Sequence, residues 1–138
     1  MKRVENVLRS AMGTMLFLLL AALTGGAVAG EVSILSVDCE RQGPSWRIAV
    51  TLRHGDDGWD HYADQWRLVS EAGQVLATKV LQHPHVEEQP FTRHLTEVQI
   101  PPIERKFYVE AHDTVHGWSK DRVLVDLTKA KGERYRVQ

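Results

Sequence analysis

The clearest alternation of apolar and polar side chains in the chain lies in the segment 45–54. Trp46, Ile48, Val50 and Leu52 occupy every second position of this segment, and arginine, alanine and threonine stand between them. Because successive side chains of an extended strand point to opposite faces, the segment is predicted to be a strand with one buried face.

Six further segments have the length and composition of strands, and short segments rich in glycine, proline or charged residues separate them. In one of them, Trp66 and Leu68 share a face and are predicted core residues. No segment of helical length places its apolar residues with a period of 3.6. Seven short strands in roughly 100 residues predict an all-β fold, an immunoglobulin-like antiparallel β-sandwich of about seven strands. The six segments are 31–38, 61–70, 75–82, 91–100, 106–112 and 119–128.

The N-terminal end has the three parts of a secretory signal peptide. Lys2, Arg3 and Arg9 supply positive charge, "MLFLLLAAL" supplies a short apolar run, and "AVA" supplies the small residues of a cleavage site before Gly30. The alternative is that this run is retained as a membrane anchor, since about 20 apolar residues can span a bilayer. Cleavage is the favoured outcome, so we expect a periplasmic or secreted protein without a membrane segment. The chain then divides into a signal peptide (1–29), an immunoglobulin-like domain (30–128) and a polar, basic, mobile tail (129–138).

The balance of charges and the single cysteine limit the classes of function. With 17 Lys and Arg against 18 Asp and Glu, the formal net charge is −1, and removal of the signal peptide makes it more negative. This charge gives no electrostatic basis for nucleic-acid binding. Cys39 is the only cysteine, which excludes an internal disulfide. It could be a buried small residue, or a free thiol that pairs between chains or binds a metal.

Six of the seven histidines fall in three connections that should share one end of the sandwich. If each strand runs antiparallel to the one before it, the connections after the second, fourth and sixth strands lie together, and only His94 falls inside a strand. Pro84 favours an extended conformation, in which His83 and His85 would point the same way. Imidazole and carboxylate groups suit copper, zinc or iron, so we predict a transition-metal site at this end. The candidate ligands are His54, His61, His83, His85, His112, Asp113 and His116.

Two segments resemble the superoxide reductases, the neelaredoxin and desulfoferrodoxin family. "RHGDDGWDHYADQWRLV" resembles that family's histidine, His-Tyr pair and following tryptophan, and "HDTVHGWS" resembles its Cys-Asn-x-His-Gly-x-Trp ending. The resemblance implies an immunoglobulin-like sandwich with one iron bound by four histidines and one cysteine. It matches His54, His61 and His116 to ligand positions and places Asp113 at the thiolate position. One family histidine has no counterpart here, and His83 and His85 are additional.

The whole chain also resembles a group of small exported bacterial proteins that carry "GWDHYAD" and "HPHV-E-QPFTR" signatures, which implies export without implying an activity. Three functions are therefore compared. The first is a periplasmic domain that binds a transition metal. The second is a metal-free module that binds a protein partner through Trp59 and Trp118. The third is a metalloenzyme, such as a superoxide-reductase-like redox enzyme, for which the pattern singles out no catalytic residue. We rank them in that order.

Overall fold

The computed structural model describes residues 30–138, which form two packed β-sheets. The predicted signal peptide, 1–29, lies outside the described residues. No helix in the described part is long and apolar enough to cross a membrane. The strands are β1 (Ser33–Gln42), β2 (Ser45–Arg53), β3 (Ala63–Ser70), β4 (Val75–Val80), β5 (Phe91–Val98), β6 (Lys106–Asp113), β7 (Gly117–Asp126), β8 (Lys131–Gly132) and β9 (Tyr135–Val137).

The strand order is that of an immunoglobulin-like sandwich. One sheet has the order β5-β2-β1-β9-β8 and the other has the order β4-β3-β6-β7. The chain leaves the first sheet after β2, forms β3 and β4 in the second, and returns so that β5 pairs with β2. This crossing between sheets is typical of Greek-key sandwiches. The seven predicted strands correspond to β1 to β7, and the predicted all-β fold class is confirmed.

The core lies between the two sheets and is formed by the alternating residues that the sequence predicted. Ile48, Val50 and Leu52 on β2 have no exposed surface, and neither do Trp66 and Leu68 on β3. Burying side chains of this size supplies the main favourable free energy of folding. The predicted inward orientation of Trp66 and Leu68 is therefore confirmed.

The C-terminal segment differs from the expected mobile tail, because residues 131–137 form β8 and β9. The backbone N–H of Gln138 donates to the carbonyl of Cys39 at 2.8 Å, and β9 runs parallel to β1. Tyr135 is buried in the core, where its ring lies so close to Gly132 that any side chain at position 132 would collide with it. The free backbone groups of β1 and this aromatic anchor hold the segment in place, although its composition is polar and basic.

Three connections meet at one end of the sandwich, which we call the histidine pole. They are the β2–β3 connection, the β4–β5 connection and the β6–β7 turn. The backbone N–H of His85 donates to Asp56 Oδ2 at 2.7 Å, which joins the second connection to the first. His61 Nε2 lies 3.1 Å from Asp113 Oδ1, which joins the first connection to the end of β6. The prediction that these connections share one end is confirmed.

Candidate metal site

Asp113 lies at the centre of the histidine pole, at the end of β6, and its side chain points into the sandwich. The side chain is fully buried, and Oδ1 accepts hydrogen bonds from the backbone N–H groups of Val115 at 2.9 Å and His116 at 2.7 Å. Burial raises the pKa of this carboxyl, but the two backbone donors and the His116 imidazole lower it by more. The pKa of Asp113 therefore lies below its ordinary value, and the group is a carboxylate at neutral pH.

Three imidazoles surround this carboxylate. His61 Nε2 and His116 Nδ1 each lie 3.1 Å from Asp113 Oδ1, and His54 Nε2 lies 4.0 Å from Oδ2. Ligand atoms of His54, His61 and Asp113 all lie within 4.8 Å of one another. Two imidazoles and one carboxylate at this separation could hold a metal ion, and His116 stands where it could add a fourth ligand.

His54 Nε2 and Asp113 Oδ2 are buried and face one another without a hydrogen-bond partner among the described residues. Buried polar atoms in folded proteins are nearly always partnered, because an unpaired one costs about 1–3 kcal/mol. Bonds of about 2.0–2.2 Å from one ion to a histidine nitrogen and a carboxylate oxygen would satisfy both atoms. Two such bonds that meet at one ion at a tetrahedral angle span about 3.4 Å, so a small side-chain movement would bring this pair, now 4.0 Å apart, to the separation that a transition metal requires.

Asp56 fixes the orientation of His54. Its Oδ1 accepts from His54 Nδ1 and from the backbone N–H of Ala63 at 3.0 Å, and its Oδ2 accepts from the backbone N–H of His85. With its proton on Nδ1, the His54 ring presents the Nε2 lone pair to Asp113. No role for Asp56 was predicted from the sequence. The His54-x-Asp56 spacing was the available signal, but the bonds to Ala63 and His85 are not visible in a sequence.

His83 and His85 lie beside this cluster rather than around Asp113. The His85 ring is buried and stacked on Phe91, with centroids 3.9 Å apart, and its Nδ1 lies 3.9 Å from Asp56 Oδ2. Burial, followed by the positive charges of Arg93 and His83, lowers the pKa of His85. His83 is exposed, and its Nδ1 can donate to the carbonyl of Pro84. His85 is linked to Asp113 through Asp56 and His54.

His112 lies on the outer face of its sheet, because neighbouring residues of a strand point to opposite faces. Its Nδ1 pairs with Asp64 Oδ1, and its ring meets Trp118 edge-on at 4.9 Å between centroids. Trp118 is in turn covered by the guanidinium of Arg67 at 3.6 Å, so it is not a free aromatic surface. The structure thus separates His112 from Asp113, although the two are adjacent in the chain.

Cys39 contributes no donor to this cluster. The thiol lies in the core on β1, on the side of the strand that faces the opposite sheet, and burial together with the charge of Asp38 raises its pKa to about 12. A thiol with so high a pKa is protonated at neutral pH, and metal binding requires the thiolate. Of the two interpretations of Cys39, the structure supports the buried small residue.

Comparisons with known proteins give two similarities. No protein-family model matches the chain. A protein of Halomicrobium mukohataei named "Putative lipoprotein" is 35% identical over 97 residues, which cover 70% of this chain and 47% of that protein. The chain therefore spans about half the length of this curated relative. A crystal structure of superoxide reductase in the oxidized state shares 14% identity and a TM-score of 0.39, covering 73% of this chain and 94% of that chain. This remote resemblance transfers neither a metal nor an activity.

Proposed function

We propose that this chain is an exported β-sandwich protein that binds one transition-metal ion through His54, His61, His116 and Asp113. The observation that carries the proposal is the pair of unpartnered, buried atoms, His54 Nε2 and Asp113 Oδ2, 4.0 Å apart and next to two further imidazoles. Buried polar groups that are held in one orientation destabilise the folded protein if no ligand partners them.

The donor set favours Cu²⁺ or Zn²⁺, with Fe²⁺ as a third choice. Imidazole nitrogens suit these borderline metals, and a single carboxylate supplies the negative charge. Ca²⁺ prefers six to eight oxygen ligands, which this cluster does not offer. The resemblance of the sequence to the superoxide reductases places Asp113 where that family has its thiolate, so the proposal is metal storage, delivery or sensing rather than superoxide reduction.

Export is proposed on two grounds. The segment 1–29 has the composition of a secretory signal, and the relative from Halomicrobium mukohataei is named as a lipoprotein. A periplasmic or secreted location follows from the first ground and is compatible with the second.

Thermal unfolding with and without each ion tests the metal site. At about 100 times the dissociation constant, an ion that binds only the folded state adds about 2.7 kcal/mol, which raises the melting temperature by about 10 °C in a domain of this size. We expect this rise with Cu²⁺ or Zn²⁺ at pH about 7.5, and a much smaller one with Ca²⁺. Titration of the chelator-treated protein, followed by elemental analysis, should give one bound ion per chain.

Two substitutions with a matched control locate the ion. Asp113→Asn keeps an oxygen for the backbone donors of the turn but removes the charge, and His54→Gln removes the buried nitrogen; both should abolish most of the metal-dependent rise. His94→Gln removes an exposed histidine on β5 and should leave the rise unchanged. A rise that persists in Asp113→Asn and disappears in His83→Gln/His85→Gln would place the ion elsewhere and contradict the proposal.

A second candidate function, recognition of a protein partner at the same pole, is favoured by exposed apolar side chains. Trp59, Val86 and Val115 are 67%, 55% and 59% exposed, and each lies in a different connection of the histidine pole. Large exposed aromatic residues are common anchors of protein interfaces. A photo-crosslinking residue at position 59 should trap one discrete protein in cells. The same residue at Ile103, which is still more exposed and lies at the other end of the sandwich, should not.

A further inference from the structure

The end of the sandwich opposite the histidine pole contains an open cavity of about 770 Å³. It lies where the β1–β2 turn, the β5–β6 connection, the end of β7 and the end of β9 approach one another. Cavities of about 300–1,000 Å³ are the usual size for small-molecule sites. No residue of this cavity belongs to the candidate metal site, so a ligand here would be a separate property of the chain.

The walls of the cavity are apolar because the hydrophobic core reaches the surface here. Trp46 closes the core on β2, and Ile100, Leu127 and Val137 pack against the core with part of their surface exposed to the cavity. The backbone N–H of Leu127 donates to the carbonyl of Arg105 at 2.8 Å, which ties the β5–β6 connection to the end of β7. The cavity is therefore bounded by strand ends and by a connection that is hydrogen-bonded to one of them. Its walls are already in place before any ligand binds.

Two arginines stand at the rim of these apolar walls. Neither Arg41 nor Arg105 forms an ion pair within residues 30–138, and Glu104 is the single acidic residue of the lining. The Arg41 guanidinium is held in place, since its Nε donates to the carbonyl of Gly43 at 3.1 Å and it lies 5.3 Å from the Trp46 ring centre. Its terminal N–H groups have no hydrogen-bond partner among the residues that the structure describes, so they can bind an anion.

We propose that this cavity binds a small amphipathic carboxylate, with its aliphatic or aromatic body against Trp46 and Ile100 and its carboxylate at Arg41. A planar guanidinium binds a carboxylate through two parallel hydrogen bonds, and apolar walls of this size bury the body of such a molecule. The charge at the rim and the apolar walls together select a carboxylate over a neutral molecule of the same shape.

Octanoate and its neutral analogue octanamide are the probes for this proposal. Titration of the ¹⁵N-labelled protein should give saturable amide shifts at residues 99, 100, 103–105 and 127–128 and at the indole N–H of Trp46. An exposed guanidinium–carboxylate contact is worth about 1 kcal/mol, so octanoate should bind about fivefold more tightly than octanamide. Binding in the millimolar range, about 1 mM, is expected for a probe this small.

Arg41→Gln should remove this preference, because it leaves the apolar walls and deletes the guanidinium. Arg122→Gln is the matched control, since Arg122 also lies over an aromatic ring, that of Tyr108, but on the outer face of the other sheet. The control should bind octanoate as the unaltered protein does. Equal affinities for octanoate and octanamide, an unchanged preference in Arg41→Gln, or no saturable shift at these residues up to about 10 mM would each overturn the proposal.

Discussion

Asp56 offers the sharpest test of how the candidate metal site is built, and Asp56→Asn is the substitution to make. The carboxylate accepts from His54 Nδ1, from the Ala63 N–H at 3.0 Å and from the His85 N–H at 2.7 Å. All three partners are donors. An asparagine of the same shape has only one oxygen, so its amide group must face at least one donor without accepting a hydrogen bond from it.

Both orientations of this asparagine are unfavourable. If the amide faces His85, one buried donor loses its acceptor, at a cost of about 1–3 kcal/mol. If it faces His54, the imidazole must accept at Nδ1 and carry its proton on Nε2, the atom proposed to bind the ion. Loss of a carboxylate that orients a metal-binding histidine typically lowers affinity by about 10- to 100-fold. We expect a loss of this size in zinc affinity and, separately, a lower stability of the metal-free protein.

Competition with a chromophoric zinc chelator at pH about 7.5 measures the affinity, and urea unfolding in the presence of a chelator measures the stability. Asp57→Asn is the matched control, because Asp57 is the next residue in the same connection and its side chain is exposed. The control should match the unaltered protein in both assays. An Asp56→Asn protein that is folded and binds zinc within about threefold of the unaltered protein would refute the assigned role of Asp56.

Three further predictions concern the core, the thiol and the pH dependence. Trp66→Ala should lower the free energy of unfolding by about 3–5 kcal/mol in urea titrations, because the side chain is fully buried; a change under about 1 kcal/mol would contradict its place in the core. Cys39 should react with a thiol reagent only after denaturant is added, because burial raises its pKa to about 12; rapid reaction of the native protein would show that the thiol is accessible. Burial lowers the pKa of His85, so this histidine stays neutral in the folded chain at pH values where the unfolded chain binds a proton. Its contribution to the free energy of unfolding is therefore full above pH about 6.5 and is lost as the pH falls towards the pKa of the folded state. In a chelator-treated protein, His85→Gln should therefore make the fall in unfolding free energy between pH about 7.5 and 5.5 shallower, and an identical slope would exclude His85 as its source.

The sequence predicted β1 to β7 from apolar segments of strand length between turn signals, and the alternation of buried and less buried residues is cleanest in β6, whereas β4 has no fully buried residue. It also placed the three histidine-bearing connections at one end, since successive antiparallel strands alternate in direction and every second connection therefore lies at the same end. β8 and β9 were missed because strands of two and three residues carry no measurable period. What holds β9 is a parallel pairing with β1 and the burial of Tyr135, and both depend on partners about 100 residues away.

The direction of each side chain decides which candidate ligands lie around Asp113 and which lie elsewhere, and the sequence encodes this direction only in part. Phe107, Val109 and Ala111 alternate inward along β6, and extending that register by one step turns Asp113 inward and leaves His112 outside. This distinction was therefore available from the sequence. The position of His85 was not, because it depends on its stacking against Phe91 and on a hydrogen bond to Asp56, 29 residues earlier.

The side chains of the candidate metal site differ in their exposure to solvent, which bears on how an ion would enter the site. The side chains of His54 and Asp113 are fully buried, that of His61 is 12% exposed and that of His116 is 37% exposed. On the proposed function, an ion from solvent would meet His116 first and reach the buried pair last. The buried side is held by Asp56 and by the backbone donors of the β6–β7 turn, so it fixes the geometry of the ligands before the ion arrives. Trp59, Val86 and Val115 are exposed in the three connections of the same pole, so a protein that docks on the histidine pole would approach His116, the most exposed imidazole of the proposed ligand set.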